Sequence, residues 1–200
     1  MEKLKELTKK IWGATWSVIV GITLGILVIT FLFQFCKVDG SSMEPNYHDG
    51  DRKVINKIVY KISDIKRYDV VAVRYKDDSI EKLGHKVTLI KRVIGLPGDM
   101  IRIDDNGNLY INDKLVDEPY IKEPMKSGGI IKNNSEGHGL VLKENEYFVM
   151  GDNRNNSLDS RTLGVFTKKD IIGRIKKSPY KETLYVPDEP EKERTINVRW

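Results

Sequence analysis

Three stretches of this 200-residue chain carry side chains that could do covalent chemistry. Residues 38–47 read VDGSSMEPNY, with Ser41 and Ser42 adjacent in a turn-like context. Residues 87–94 read VTLIKRVI, a β-branched run with Lys91 inside it, and residues 151–164 read GDNRNNSLDSRTLG. A serine hydroxyl becomes a useful nucleophile when a base takes its proton, and a neutral amine is such a base. Strand alternation puts Lys91 on the face of Leu89 and Val93. If that face is buried, desolvation drives the ammonium toward neutrality. If it is open to water, Lys91 is an ordinary surface lysine, as most are, and Ser41-Ser42 is only a turn.

Other chemistries find less support. His48, His85 and His138 are the three histidines, and each lies in a polar or Gly-rich turn, a poor mount for a catalytic base. The run at 151–164 is dense in Asp, Asn and Ser that hydrogen-bond local backbone. It reads either as a surface loop or as a support holding Ser42 and Lys91 in register, with Asp152 and Asn153 among its members. Its Asp spacing does not match a calcium loop, and the closing Glu is missing. The one cysteine, Cys36, excludes an internal disulfide, and no zinc-type spacing occurs. The net charge of +5 is spread along the chain, which argues against nucleic acid and for weak attraction to anionic lipid.

The elements that must position these groups follow from the pattern. Ile11–Phe35 runs for 25 residues without a charge. As a helix it is about 37 Å long, against the roughly 30 Å of a bilayer's hydrocarbon core. Bulky Phe31, Phe33 and Phe35 leave no small-x-small cleavage site, so an uncleaved anchor is expected over 11–35. Lys3, Lys5, Lys9 and Lys10 precede it, which places residues 1–10 in the cytoplasm and the rest outside. Beyond the anchor, 69–75, 87–94, 100–103, 109–112, 146–150 and 171–175 read as strands. Asn106-Gly107 marks a hairpin turn between the third and fourth of these. One or two short helical turns are expected besides. Residues 123–139 read as a Gly/Asn-rich surface excursion, and 186–200 as a polar tail. The expected architecture is mainly β: a transmembrane helix, then a β domain over 36–185 with a smaller β-rich insertion at about 100–145.

In this order behind one anchor, the three stretches resemble type I signal peptidases, membrane-bound Ser/Lys proteases, and look most like the short single-anchor bacterial forms. The resemblance runs from Val38 to Gly173 plus the anchor. Ser42-Met43-Glu44-Pro45 matches the box that carries the nucleophile, which implies Ser42 in that role. Lys91-Arg92-Val93-Ile94-Gly95-Leu96-Pro97-Gly98-Asp99 matches the box of the general base, which implies Lys91. In the box matched by 151–161, the resemblance implies that Ser157 orients the lysine while Asp159 and Arg161 brace the site. Tyr68 stands where the family's Arg-Gly-Asp strand has glycine. Gly40 stands where some members place a serine hydroxyl in the oxyanion hole, so Ser42 N–H needs a second donor, backbone or water, near Gly40. Val38, Met43, Tyr47, Leu89 and Ile90 are implied to line shallow pockets for small residues at positions −1 and −3. The resemblance further implies removal of signal peptides from exported preproteins at the lipid surface, with no metal or cofactor. Competing readings are a self-cleaving repressor-type Ser/Lys protease, a processing peptidase for specialised substrates, and a tethered β domain that only binds peptides.

Overall fold

The computed structural model describes residues 2–75, 87–126 and 139–175. The expectations for His85, His138, most of the 123–139 excursion, residues 176–185 and the 186–200 tail lie outside them. Helix α1 runs from Glu2 to Leu32. Its stretch Trp12–Leu32 has a mean hydropathy of 2.2 and none of it is buried against protein. Ser17, Thr23 and Thr30 donate their hydroxyls to the carbonyls of Gly13, Ile19 and Ile26 one turn back, so no hydroxyl of theirs is left open on that apolar surface. The apolar sequence continues to Phe35, but the helix does not. Phe33–Lys37 forms strand β1, paired antiparallel with β2 (Arg52–Asn56). The expected anchor boundary therefore moves from Phe35 back to Leu32. Apolar composition alone does not separate a lipid-exposed helix from an aromatic edge strand.

The remaining strands are β3 (Val70–Tyr75), β4 (Val87–Gly95), β5 (Met100–Ile103), β6 (Leu109–Ile111), β7 (Lys114–Leu115), β8 (Leu140–Val141), β9 (Glu146–Met150), β10 (Phe166–Thr167) and β11 (Ile171–Ile175). Short helices α2 (Val59–Ile62) and α3 (Ser160–Leu163) complete the described chain. Seven strands form one sheet in the order β1-β2-β11-β3-β4-β9-β10, and four form a second in the order β7-β6-β5-β8. Every pairing is antiparallel. The fold is mainly β, as the strand pattern indicates.

Burial explains the strand sequences. β3 reads VVAV because both faces are covered: Val71 and Val73 join one core cluster, Val70 and Ala72 another. A third cluster joins the sheets through Ile94, Phe148 and Met150 of the large one and Ile101, Leu109 and Ile111 of the small one. In the β5–β6 turn Gly107 takes φ +83°, the conformation that Asn-Gly turns supply. Tyr68 adopts φ +68° where glycine would cost nothing. Its backbone is held by Tyr68 N–H donating to Val93 O at 2.7 Å and by Arg92 donating to Tyr68 O at 3.1 Å.

Gly173, where β11 shifts register against β3, lies hard against the neighbouring backbone of β2. A Cβ there would meet the Asn56 carbonyl group, 2.8 Å from its carbon. Gly173→Ala is therefore expected to loosen β11 from β2 and cost about 1–3 kcal/mol, read as a lower thermal unfolding midpoint. An unchanged midpoint would contradict the close approach.

Candidate active site

β4 carries Lys91 opposite Val71 of β3, on the face that Val93 buries. The side chain is only 2% exposed. Its Nζ lies 2.7 Å from Ser42 Oγ. Burial lowers the ammonium pKa; Asp159 pulls it up and Arg161 pushes it down, and the balance lies at about 8. The carboxylates near Lys91 are already engaged. Arg161 holds Asp159 through Nε to Oδ1 and Nη2 to Oδ2, both at 2.9 Å. Arg92, the next residue on β4, holds Asp152 through Nε at 2.7 Å and Nη2 at 2.6 Å. Neither carboxylate is left to form an ion pair with the amine. A lysine in this setting can take a proton from the hydroxyl it touches.

Ser42 sits in the turn between β1 and β2, and residues 151–161 fix that turn. Asn153 N–H donates to Ser42 O at 3.0 Å, and Asn153 Nδ2 donates to Ser41 O at 3.1 Å. Asn156 Nδ2 donates to Ser41 Oγ at 2.9 Å. Ser41 is thus held from the polar run, and Ser42 faces the lysine. Met43 and Tyr47, each 1% exposed, anchor the turn in the core. Gly151 is required at its position: a Cβ would lie 2.5 Å from Ser42 O and collide with Ser157. Its N–H donates to Asp159 Oδ2 at 3.0 Å, and its carbonyl accepts from Arg154 Nε at 2.9 Å.

The other expected site residues divide. Asp152, Asn153, Asp159 and Arg161 all lie in the network around the Ser42–Lys91 pair. Burial pushes the Asp159 carboxyl up, but Arg161 and the Gly151 N–H outweigh it and leave it below its ordinary value. Ser157 lies close but does not hydrogen-bond Lys91: its buried Oγ packs against Gly151 without a well-formed hydrogen bond, near enough to Asp159 to favour that group's ionised form. Gly40 N–H is already engaged, donating to Asp49 Oδ1 at 2.9 Å. The expected second donor near Gly40, backbone or water, is therefore not a free Gly40 N–H, because a carboxylate nine residues on has reached back to it. Val38, Met43, Tyr47 and the half-buried Ile90 share one cluster, whereas Leu89 packs on another. The first three are buried in the core. His48 is exposed in a turn, its N–H donating to Asp51. Among the described residues no group of three or more His, Cys, Asp or Glu side chains is placed to hold a metal ion.

Several supporting residues carried no motif. Asn46 Nδ2 bridges Tyr120 O at 2.7 Å and Asp152 Oδ2 at 2.8 Å. The Tyr120 ring has the Arg92 guanidinium 4.5 Å from its centroid and that of Arg154 at 5.7 Å. Glu118 receives both Arg154 Nη atoms, at 2.7 and 2.6 Å, and the Tyr120 hydroxyl at 2.7 Å. Glu118 and Tyr120 follow β7 in a segment without sequence periodicity, so only contact reveals them.

Two outcomes follow from this electrostatic balance. Arg161→Met frees Asp159 to pair with Lys91, so the lysine pKa should rise by about one unit or more; a titration of Lys91 that does not move would contradict the arrangement. Lys91→Met should stabilise the fold by about 3 kcal/mol at pH values below 8. The folded protein resists protonating this lysine while the unfolded chain accepts the proton up to its ordinary pKa. The advantage of the Met variant is therefore complete below pH 8 and fades as the pH rises toward 10.5. Denaturant unfolding of both proteins across that range checks it.

Comparison with known proteins bears on most of the chain. Residues 10–179 match the family described as "Signal peptidase, peptidase S26". The chain is 42% identical over 183 residues to signal peptidase I of Bacillus amyloliquefaciens, covering 88% of this chain and 93% of that one. It is 38% identical over 180 residues to signal peptidase I S of Bacillus subtilis strain 168, covering 87% and 92%. A crystal structure of a signal peptidase I from Enterococcus faecalis V583 aligns with a TM-score of 0.42 and 27% identity, over 56% of this chain and 97% of that one. The chain belongs to the signal peptidase I family of S26 peptidases.

Proposed function

We propose that this protein is a membrane-anchored serine endopeptidase that removes N-terminal signal peptides from exported proteins, with Ser42 as nucleophile and Lys91 as general base. The observation that carries the reading is the 2.7 Å contact between a buried amine and a serine hydroxyl, with the amine at about pKa 8. Neutral Lys91 takes the Ser42 proton as Oγ attacks the scissile carbonyl. The resulting ammonium returns the proton to the leaving amine and then, neutral again, activates water against the acyl-enzyme. Ser42 N–H faces the developing oxyanion. Gly40 N–H contributes only if Asp49 releases it. Each donor that strengthens its bond in the transition state is worth about 2.7–4 kcal/mol.

Trp12–Leu32 is the anchor in this reading, 21 residues long. The preceding lysines keep the N-terminus cytoplasmic and put the β domain outside. β1 continues directly from the helix, so Ser42 works near the lipid surface, where a membrane-held signal peptide presents its cleavage site. The preprotein binds as an added strand, and small residues at −1 and −3 are selected by steric exclusion of larger ones.

The test is mass spectrometry of a precursor with an Ala-x-Ala site, incubated in detergent with the wild-type protein or with Ser42→Ala. A single cut after the −1 alanine is expected from the wild type alone. The wild-type rate should climb about tenfold per pH unit below pH 8 and level off above it, because only the neutral amine is a base. No cut, equal cutting by both proteins, or a rate flat into acid would contradict the assignment.

A further inference from the structure

The turn that carries Ser42 is fastened to the base strand at Asn46, four residues further on. Asn46 Nδ2 donates to Tyr120 O at 2.7 Å and to Asp152 Oδ2 at 2.8 Å. A carbonyl and a carboxylate can only accept here, so the position calls for two N–H donors on one atom, which a side-chain amide supplies. Asp152 is fully buried and also receives Arg92 Nε at 2.7 Å and Nη2 at 2.6 Å. Arg92 is the neighbour of Lys91 on β4. These contacts close a ring: Lys91 to Arg92 along the strand, Arg92 to Asp152, Asp152 to Asn46, Asn46 back along the turn to Ser42, and Ser42 Oγ to Lys91 Nζ at 2.7 Å.

The turn is stiff enough to transmit that tie. Glu44 N–H donates to Ser41 O at 3.1 Å, and the N–H groups of Asn46 and Tyr47 donate to Met43 O at 3.1 and 3.0 Å. The side chains of Met43 and Tyr47 are both buried. A displacement at Asn46 therefore carries Ser42 with it. The same two segments meet again where Lys122 Nζ reaches Glu44 Oε2 at 2.8 Å, but that lysine side chain is 46% exposed. An ion pair so open to water holds little. The charges that act on Lys91 are those of Asp159, Arg161 and Asp152. Asn46 is neutral, so it ties the turn to Asp152 without adding to their field.

We propose that Asn46 is a positioning residue for the peptidase reaction, its amide setting the separation of Ser42 Oγ and Lys91 Nζ by fastening the nucleophile turn to the Arg92–Asp152 pair. It acts through the turn rather than on the reacting atoms. The inference rests on the reading of Ser42 and Lys91 as nucleophile and base, and its test includes a readout that needs no substrate.

The full-length protein in detergent would be compared with Asn46→Ala, Asn46→Asp and Lys122→Gln. Lys91 would be titrated by NMR, kcat and KM measured on the Ala-x-Ala precursor across pH, and thermal unfolding used to confirm that each variant is folded. Asn46→Asp keeps the shape of the side chain but loses both donors and sets a carboxylate against Asp152. Asn46→Ala loses the donors without adding charge, so its effect on Lys91 reports position alone. In both, a drifting turn lets water reach Lys91, and its titration should rise from about 8 by about half a unit or more. The inflection of the pH–rate profile should rise in step. Misplacement of the dyad should lower kcat by about 10–100-fold, more than KM changes. Lys122→Gln should leave kcat and the Lys91 titration within about twofold and a few tenths of a unit of the wild type. Partial unfolding alone would lower the rate without moving the Lys91 titration. An unmoved Lys91 titration in folded Asn46→Ala, an unchanged kcat, or an equal effect from Lys122→Gln would overturn the proposal. If the wild type fails to cut the precursor, the peptidase reading fails, and the Lys91 titrations still decide whether Asn46 holds the pair.

Discussion

A lysine amine buried without a carboxylate of its own is the constraint around which this fold is arranged. Burial alone would make Lys91 costly, and a free carboxylate nearby would relieve that cost by holding it ionised. The structure keeps Asp159 and Asp152 close but commits each to an arginine. The amine is left with the Ser42 hydroxyl. Such an arrangement sacrifices stability, a common feature of functional sites.

Holding that balance takes most of the molecule. β4 supplies Lys91 and Arg92 to opposite faces of the large sheet, one toward the hydroxyl and one toward Asp152. Asn46 and Asn153 connect Asp152 and its neighbour to the turn of Ser42. The second sheet enters through the segment that follows β7: Glu118 and Tyr120 pin Arg154, and Arg154 pins the carbonyl of Gly151, whose Cα packs beside Ser42. Because these groups are buried and mutually hydrogen-bonded, loss of one partner leaves another charge unpaired, at a cost of about 3–5 kcal/mol. On the peptidase reading, the small sheet acts as a brace for the active site rather than an appendage.

Much of this was legible in the sequence, for identifiable reasons. Strands rich in aromatic or β-branched residues, such as 146–150 and 171–175, coincide with β9 and β11. Alternation placed Lys91 beside Val93, and the motif match brought Asp159 and Arg161 to the same place. What escaped notice has physical causes. β1 hid inside the apolar run because Phe and Cys suit a strand edge as well as a membrane helix. β2, RKVIN, buries only Ile55 and so lacks a period. The engagement of Gly40 with Asp49 and the Arg92–Tyr120–Arg154 stack depend on side chains meeting across long sequence separations, which no local pattern encodes. Ser157 shows the limit of a motif, since its hydroxyl stands beside the site without bonding the lysine.

The central claim is that Lys91 is neutral enough near physiological pH to act as a base because of where it is buried. The most direct measurement is a carbon-detected NMR titration of the lysine Cε signals of the full-length protein in detergent micelles, with Lys91 assigned by its absence from Lys91→Met. The account predicts that Lys91 titrates near 8, well below the ordinary lysine value of about 10.4. A Lys91 signal titrating at about 10.4 would contradict it, and the 2.7 Å contact with Ser42 would then join a hydroxyl to an ordinary ammonium.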